Sequence, residues 1–360
     1  MPEEEWGGGY PNGVYPPRWP TTVMPSSNFK DPVGVVLRML RSTNRAAQSA
    51  LARELARVLL LPVDLIAGPF ERRRIGRTTA SDSPVLLVVG APRSGTSLVQ
   101  QLLVTHLQAN FIPNGAGLLP RAPMLGARLF GKGGRVAPRD YLSYLGQTRS
   151  LRGPNDAFFL WDRWFGDARG HLGAAISPEA LDAMRHTLNV WMHTFGAPLI
   201  NKNNRNTICM PAIAQALPQA RFLVVRREPV DVALSLFKAR AEVQGDSRVA
   251  WGLLARDAPR EANDHEVLQA ICEQLHEVES VLRASMEQLD PSRFRCVSLK
   301  HVCAEPAEFV ASVSNWMPAF KMLPERLSEL RPLEYRQPEA ATPHRELLQQ
   351  WLAPIATGTN

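Results

Sequence analysis

The sequence predicts an α/β fold, a P-loop-type parallel sheet flanked by helices, and two observations carry that prediction. A continuous apolar run, Val85–Val89, passes through a glycine-bounded turn into Leu98, Leu102 and Leu103 at helical spacing. The same order of strand, turn and helix recurs from Arg221 to Phe237. Two such units imply a parallel sheet with helices on its faces.

The elements follow in chain order. Residues 1–30 are crowded with Pro and Gly, show no apolar periodicity and read as an arm. Ala46–Leu61 has helical spacing. The most apolar stretch, Val58–Phe70, is interrupted by Pro62 and Asp64 and falls short of the roughly 20 residues that span a bilayer. With Glu71-Arg72-Arg73-Arg74 after it, this region allows peripheral contact with an anionic membrane surface. A helix packed on the main domain with a solvated charged end is the simpler reading. After the first strand, turn and helix, residues 111–170 are irregular and rich in Gly, Pro and aromatics. Ser177 caps a helix that opens at Pro178 and runs to about His193. Pro198–Asn201 reads as a short strand, Arg221–Val225 as a second long one, and Val230–Phe237 as a helix with Asp231 in its first turn. A helix over Glu266–Leu289 and a strand at Phe294–Ser298 complete the pattern. Three parts are expected: an N-terminal arm and helical extension (1–80), a P-loop domain (81–330), and a C-terminal tail packing on that domain (331–360).

Composition narrows the function classes. A net charge of +7 suits an anionic ligand, although charge alone does not separate a small anion from nucleic acid or a membrane. Cys209, Cys272, Cys296 and Cys303 lack paired metal-ligand spacing and disulfide density, so a reducing compartment and no metal are expected. The acidic start at Glu3, Glu4 and Glu5 is unlike a secretory leader, and a cytoplasmic location is expected.

The turn after the first strand carries the chemistry. Gly90-Ala91-Pro92-Arg93-Ser94-Gly95-Thr96-Ser97 has the length and glycine placement of a loop whose backbone N–H groups and helix N-terminus wrap a phosphate. A nucleoside-triphosphate loop needs Lys directly after its second glycine, and Thr96 stands there, which disfavours a kinase. The positive charge lies inside the loop on Arg93, whose planar fork can hold two oxygens of a terminal group.

This octet resembles the 5′-phosphosulfate loop of sulfotransferases, especially the Pro-Arg-Ser-Gly-Thr form of tyrosylprotein sulfotransferases and bacterial relatives. Downstream, Arg227-Glu228-Pro229 with Ser235 eight residues beyond Arg227 is similar to the family's 3′-phosphate motif. Ile200-Asn201-Lys202-Asn203-Asn204 and Leu217-Pro218-Gln219-Ala220-Arg221-Phe222 resemble two further family segments, the first with Asn204 where the family often has Pro. The resemblance implies 3′-phosphoadenosine-5′-phosphosulfate (PAPS) as donor, held by Gly90, Pro92, Arg93, Ser94, Gly95, Thr96, Ser97, Arg227 and Ser235. It places Lys202 beside the transferring sulfonyl group.

Two departures stand out. Tyrosylprotein sulfotransferases carry a Glu where Asn114 stands, so the proton from the acceptor needs another base. Asp156, before an aromatic segment, is the first candidate, though it reads equally as a helix N-cap; His106 and Asp162 are the others. Leu299-Lys300-His301 stands where relatives usually show Tyr-Glu-Asp. The aromatics Phe158, Phe159, Trp161, Trp164, Phe165 and Trp191 line either an acceptor pocket or the core. The expected reaction is sulfonyl transfer to a hydroxyl or amine of a small molecule, lipid or carbohydrate in a bacterial-type enzyme, without nucleic acid. A catalytically silent nucleotide-binding module and a small-metabolite kinase are the alternatives.

Overall fold

The computed structural model describes residues 32–41, 45–134, 141, 143–144, 146–166, 176–328, 330–339 and 342–356; the arm read in residues 1–30 lies outside them. The chain opens with three helices, α1 (Pro32–Arg41), α2 (Arg45–Leu59) and α3 (Leu61–Arg77). Strand β1 (Val85–Val89) and helix α4 (Thr96–His106) follow, then α5 (Pro123–Phe130), a small hairpin of β2 (Ser143–Tyr144) and β3 (Gln147–Thr148), α6 (Phe158–Phe165) and α7 (Pro178–Phe195). The second half contains β4 (Leu199–Lys202), α8 (Arg205–Ile208), α9 (Met210–Ala216), β5 (Ala220–Arg226), α10 (Pro229–Gln244), α11 (Asp264–Glu287) and β6 (Phe294–Ser298). The chain closes with α12 (Leu299–Ala304), α13 (Pro306–Trp316), α14 (Pro324–Leu327) and α15 (Thr342–Ala356).

The four long strands form one parallel sheet in the order β4-β1-β5-β6. Val85 pairs with Leu199 on one side and with Ala220 on the other. Both faces of β1 are covered, which is why its sequence does not alternate. Val85, Leu87 and Val89 face a core built on Trp161, Trp191 and Phe222, while Leu86 and Val88 face α4 and α13. The aromatic segment of α6 is therefore core: Trp161 and Trp191 are fully buried, and their indole N–H groups donate to Asn206 and Asn110.

The helix starts agree with the sequence. Ser177 accepts from the Ala180 N–H, and Asn263 forms a capping box with Glu266 ahead of α11. Helix α10 runs to Gln244, seven residues beyond the expected Phe237, because Gly245 in the left-handed conformation is its first stop signal.

Pro62 marks the break between α2 and α3 and lies in the first turn of α3, where no hydrogen bond is lost. Nor is Glu71 part of a solvated end. Asp64 and Glu71 are both buried. Asp64 accepts from the Arg121 and Ala122 N–H groups, and Glu71 accepts from Met124 and Leu125 at the start of α5, where the helix dipole favours a carboxylate. Burial holds the Glu71 carboxyl above its usual range despite these bonds. Arg38 of α1 donates to the Glu242 and Val243 carbonyls at the end of α10, so the extension grips the sheet domain at two places.

Candidate active site

Three cations reach the site from the carboxyl ends of neighbouring parallel strands: Arg93 from the loop after β1, Lys202 at the end of β4, and Arg227 directly after β5. In an open parallel sheet this edge, where the strand order reverses, is where ligands bind.

The loop is built tightly around its glycines. A Cβ on Gly90 (φ +146°) would lie 2.6 Å from the Val225 carbonyl oxygen, and one on Gly95 (φ +95°) 2.6 Å from the buried Leu299 side chain. The Gly90 N–H donates to Thr207 Oγ1 at 3.1 Å, and the same hydroxyl donates back to the Gly90 carbonyl at 3.0 Å. Pro92 is buried and packs towards Gly252. Gly95 is the N-cap of α4, so Thr96 and Ser97 begin the helix with N–H groups that have no intrahelical acceptor.

Arg93 has a left-handed backbone (φ 72°), and its Nε donates to Ser235 Oγ at 3.0 Å. Arg227 Nη1 donates to the Arg93 carbonyl at 2.9 Å and Nη2 to the Arg336 carbonyl at 2.6 Å, while Tyr335 covers its guanidinium face at 5.7 Å. The loop, Arg227 and Ser235 thus converge through these bonds. Burial, and then the neighbouring Arg227, hold the Arg93 guanidinium below its usual range. Neither arginine forms an ion pair among the described residues. Ser94 Oγ and Arg227 Nε are buried without a hydrogen-bond partner. Two like charges beside unsatisfied donors are the complement of an anion.

Beside this pocket, Lys202 is buried and its Nζ donates to Asp156 Oδ2 at 2.7 Å. Burial raises the Asp156 carboxyl above its usual range, and Lys202 opposes the shift in part. Asn203 holds the Asp156 carbonyl. The tip of the β2–β3 hairpin covers the pair: a Cβ at Gly146 would be 3.7 Å from both Lys202 Nζ and Ser97 Oγ. Arg53 of α2 pins this hairpin through the Thr148 carbonyl and the Gln147 side chain.

A sequence profile described as "Sulfotransferase family" matches residues 84–317, close to two-thirds of the chain, including Arg93, Lys202, Arg227 and Ser235. The chain belongs to the sulfotransferase family. Among solved structures, sulfotransferase STF1 from Mycobacterium tuberculosis H37Rv aligns with TM-score 0.51 at 12% identity, covering 92% of this chain and 93% of that one. It shares the fold. Sulfotransferases STF9 from Mycobacterium avium (TM-score 0.45, 15% identity, 90% and 82% covered) and from Alicyclobacillus acidocaldarius (TM-score 0.38, 16% identity, 77% and 94% covered) also align. No curated protein sequence matches significantly.

The other residues read as candidate bases sit elsewhere in the sulfotransferase. His106 ends α4, ten residues from the loop, and its Nε2 meets the Tyr141 hydroxyl at 2.7 Å. Asp162 is buried in an ion pair with Arg205, which also donates to the Phe165 and Gly166 carbonyls. Asn114 is structural: its amide donates to Thr148 and Ser150 and accepts from Asn155, tying the hairpin to the loop that carries Asp156. Asp156 is not an N-cap either, since Ala157 (φ 58°) takes that place ahead of α6. Sequence reasoning missed Thr207, Gly146 and Arg53, whose parts depend on long-range contacts. Among the described residues no group of His, Cys, Asp and Glu could hold a metal.

Proposed function

We propose that this sulfotransferase moves a sulfonyl group from PAPS to a hydroxyl or amine of a small acceptor. The observation that carries the reading is the convergence of Arg93, Arg227 and Ser235 with the orphaned Ser94 Oγ and Arg227 Nε at the strand ends. When bound, the donor supplies an activated sulfonyl group on a phosphosulfate anhydride. The N–H groups of Thr96 and Ser97 and the Ser94 hydroxyl hold its 5′ end. Arg227 and Ser235 hold the 3′-phosphate, and Arg93, engaged with Ser235, bridges the two ends. Lys202 stabilises charge where the bond to the leaving oxygen lengthens. Asp156, 2.7 Å from Lys202, takes the acceptor proton. In the free protein each neutralises the other; donor oxygens compete for Lys202 and leave Asp156 to act as base. Gly146 keeps the ceiling low, so water is excluded around them.

Titration calorimetry with 3′-phosphoadenosine 5′-phosphate (PAP), without metal, tests this on the wild type and Arg227→Ala. Binding that the substitution weakens about tenfold or more is the expected result. Preference for ATP with Mg²⁺ would revive the kinase, and binding without turnover across an acceptor screen would favour a silent module.

A further inference from the structure

The outer face of the N-terminal helices has no role in the site. Along α3, Val63, Ile66, Phe70, Arg73 and Arg77 follow one another at spacings of three and four, which puts them on one stripe of the helix. All five are exposed; Ile66 is 68% and Phe70 67% exposed. Leu55 and Leu59 form a second stripe on α2, one turn apart, and Leu59, at the elbow between the helices, is 80% exposed. Both acids of α3, Asp64 and Glu71, point the other way and are buried in the domain. The exposed face of α3 is therefore apolar for its first half and basic for its second, with no negative charge.

We propose that this elbow docks on an anionic lipid surface. Charge and geometry choose the occupant. The stripe carries no carboxylate, and its apolar half adjoins its basic half along one helix, an order that matches an acyl margin beside anionic headgroups. A bilayer boundary accepts both at once, with Leu59, Val63, Ile66 and Phe70 at the acyl margin and guanidinium groups among the phosphates. From Val63 to Arg77 the stripe runs about 21 Å at 1.5 Å per residue, long enough to lie flat across several headgroups. No helix among the described residues is long and apolar enough to cross a membrane.

Cosedimentation of the full chain with vesicles of phosphatidylcholine, alone or mixed with phosphatidylglycerol, tests the proposal. The wild type binds the mixed vesicles, and added salt weakens that binding. Ile66→Ser with Phe70→Ser abolishes it. Arg73→Gln with Arg77→Gln weakens it about 25-fold, roughly fivefold for each charge near the surface. Ile66→Ser with Phe70→Ser retains the wild-type melting temperature and PAP titration, since both side chains are exposed. Three results would overturn the proposal: no binding to either vesicle; partitioning that neither double variant changes; or a concentration-dependent dimer that Ile66→Ser with Phe70→Ser dissolves while vesicles stay unbound, assigning the stripe to a second copy.

Discussion

Asp156 and Lys202 share one buried contact, and the charge of each sets what the other can do. A base works only when deprotonated, and burial holds Asp156 above its usual value of 3.8. Turnover should therefore fall as pH drops through that raised value, above the range of an ordinary aspartate. In Asp156→Asn the acid limb of the kcat profile disappears and kcat falls about 10²- to 10⁴-fold, while PAP still binds. A residue that merely positioned Lys202 would lower kcat without removing the limb. At the other pocket, Arg227→Ala removes a charged donor aimed at an anion and weakens PAP binding by about 1.5–3 kcal/mol, read by calorimetry. Ser94→Ala weakens it less, because a neutral hydroxyl contributes about 0.5–1.5 kcal/mol.

Single elements carry the next effects. Thr207 on α8 both donates to and accepts from Gly90, so Thr207→Val leaves two buried backbone groups without partners. Melting should report a loss of about 1–3 kcal/mol, with weaker PAP binding as the loop relaxes. Glu71→Gln keeps one acceptor for α5 and loses the charge and the second acceptor, costing stability at neutral pH. Since burial raises the folded Glu71 above 4.5, the wild type gains stability as pH falls through that raised value and the gap to the variant widens. These two residues also mark where sequence reasoning ends. Strands β1 and β5 were legible because strands packed between helices are apolar runs, and the loop was legible because its glycines are local requirements. Thr207 and Glu71 act across 117 and about 53 positions of chain, and nothing local marks either. Asp156 reads as cap or base from sequence, and Ala157 at the N-cap of α6 removes only the first reading. Gly146 escaped because strands of two residues carry no periodicity.

Across the whole molecule, segments far apart in sequence close the same site. Tyr335 donates to the buried Asp231 at 2.9 Å and covers Arg227, and Leu348 and Leu352 of α15 pack fully buried against α10 and α11. A chain ended at Leu330 should therefore melt lower and lose PAP binding, which a thermal shift assay with and without the nucleotide would read. At the opposite end, Arg53 ties α2 to the hairpin above Lys202, and burial lowers its pKa to about 10. Arg53→Ala should raise KM for the acceptor more than it changes PAP affinity. The paired arginines of the anion pocket reach beyond ligand binding. With Arg93 and Arg227 pressed together and neither in an ion pair among the described residues, the fold holds a repulsion that small oxyanions can relieve. The protein should thus tolerate heat better in sulfate than in chloride at matched ionic strength, and Arg227→Ala should erase most of that difference. A buffer choice made for convenience would then set how much of the protein stays folded.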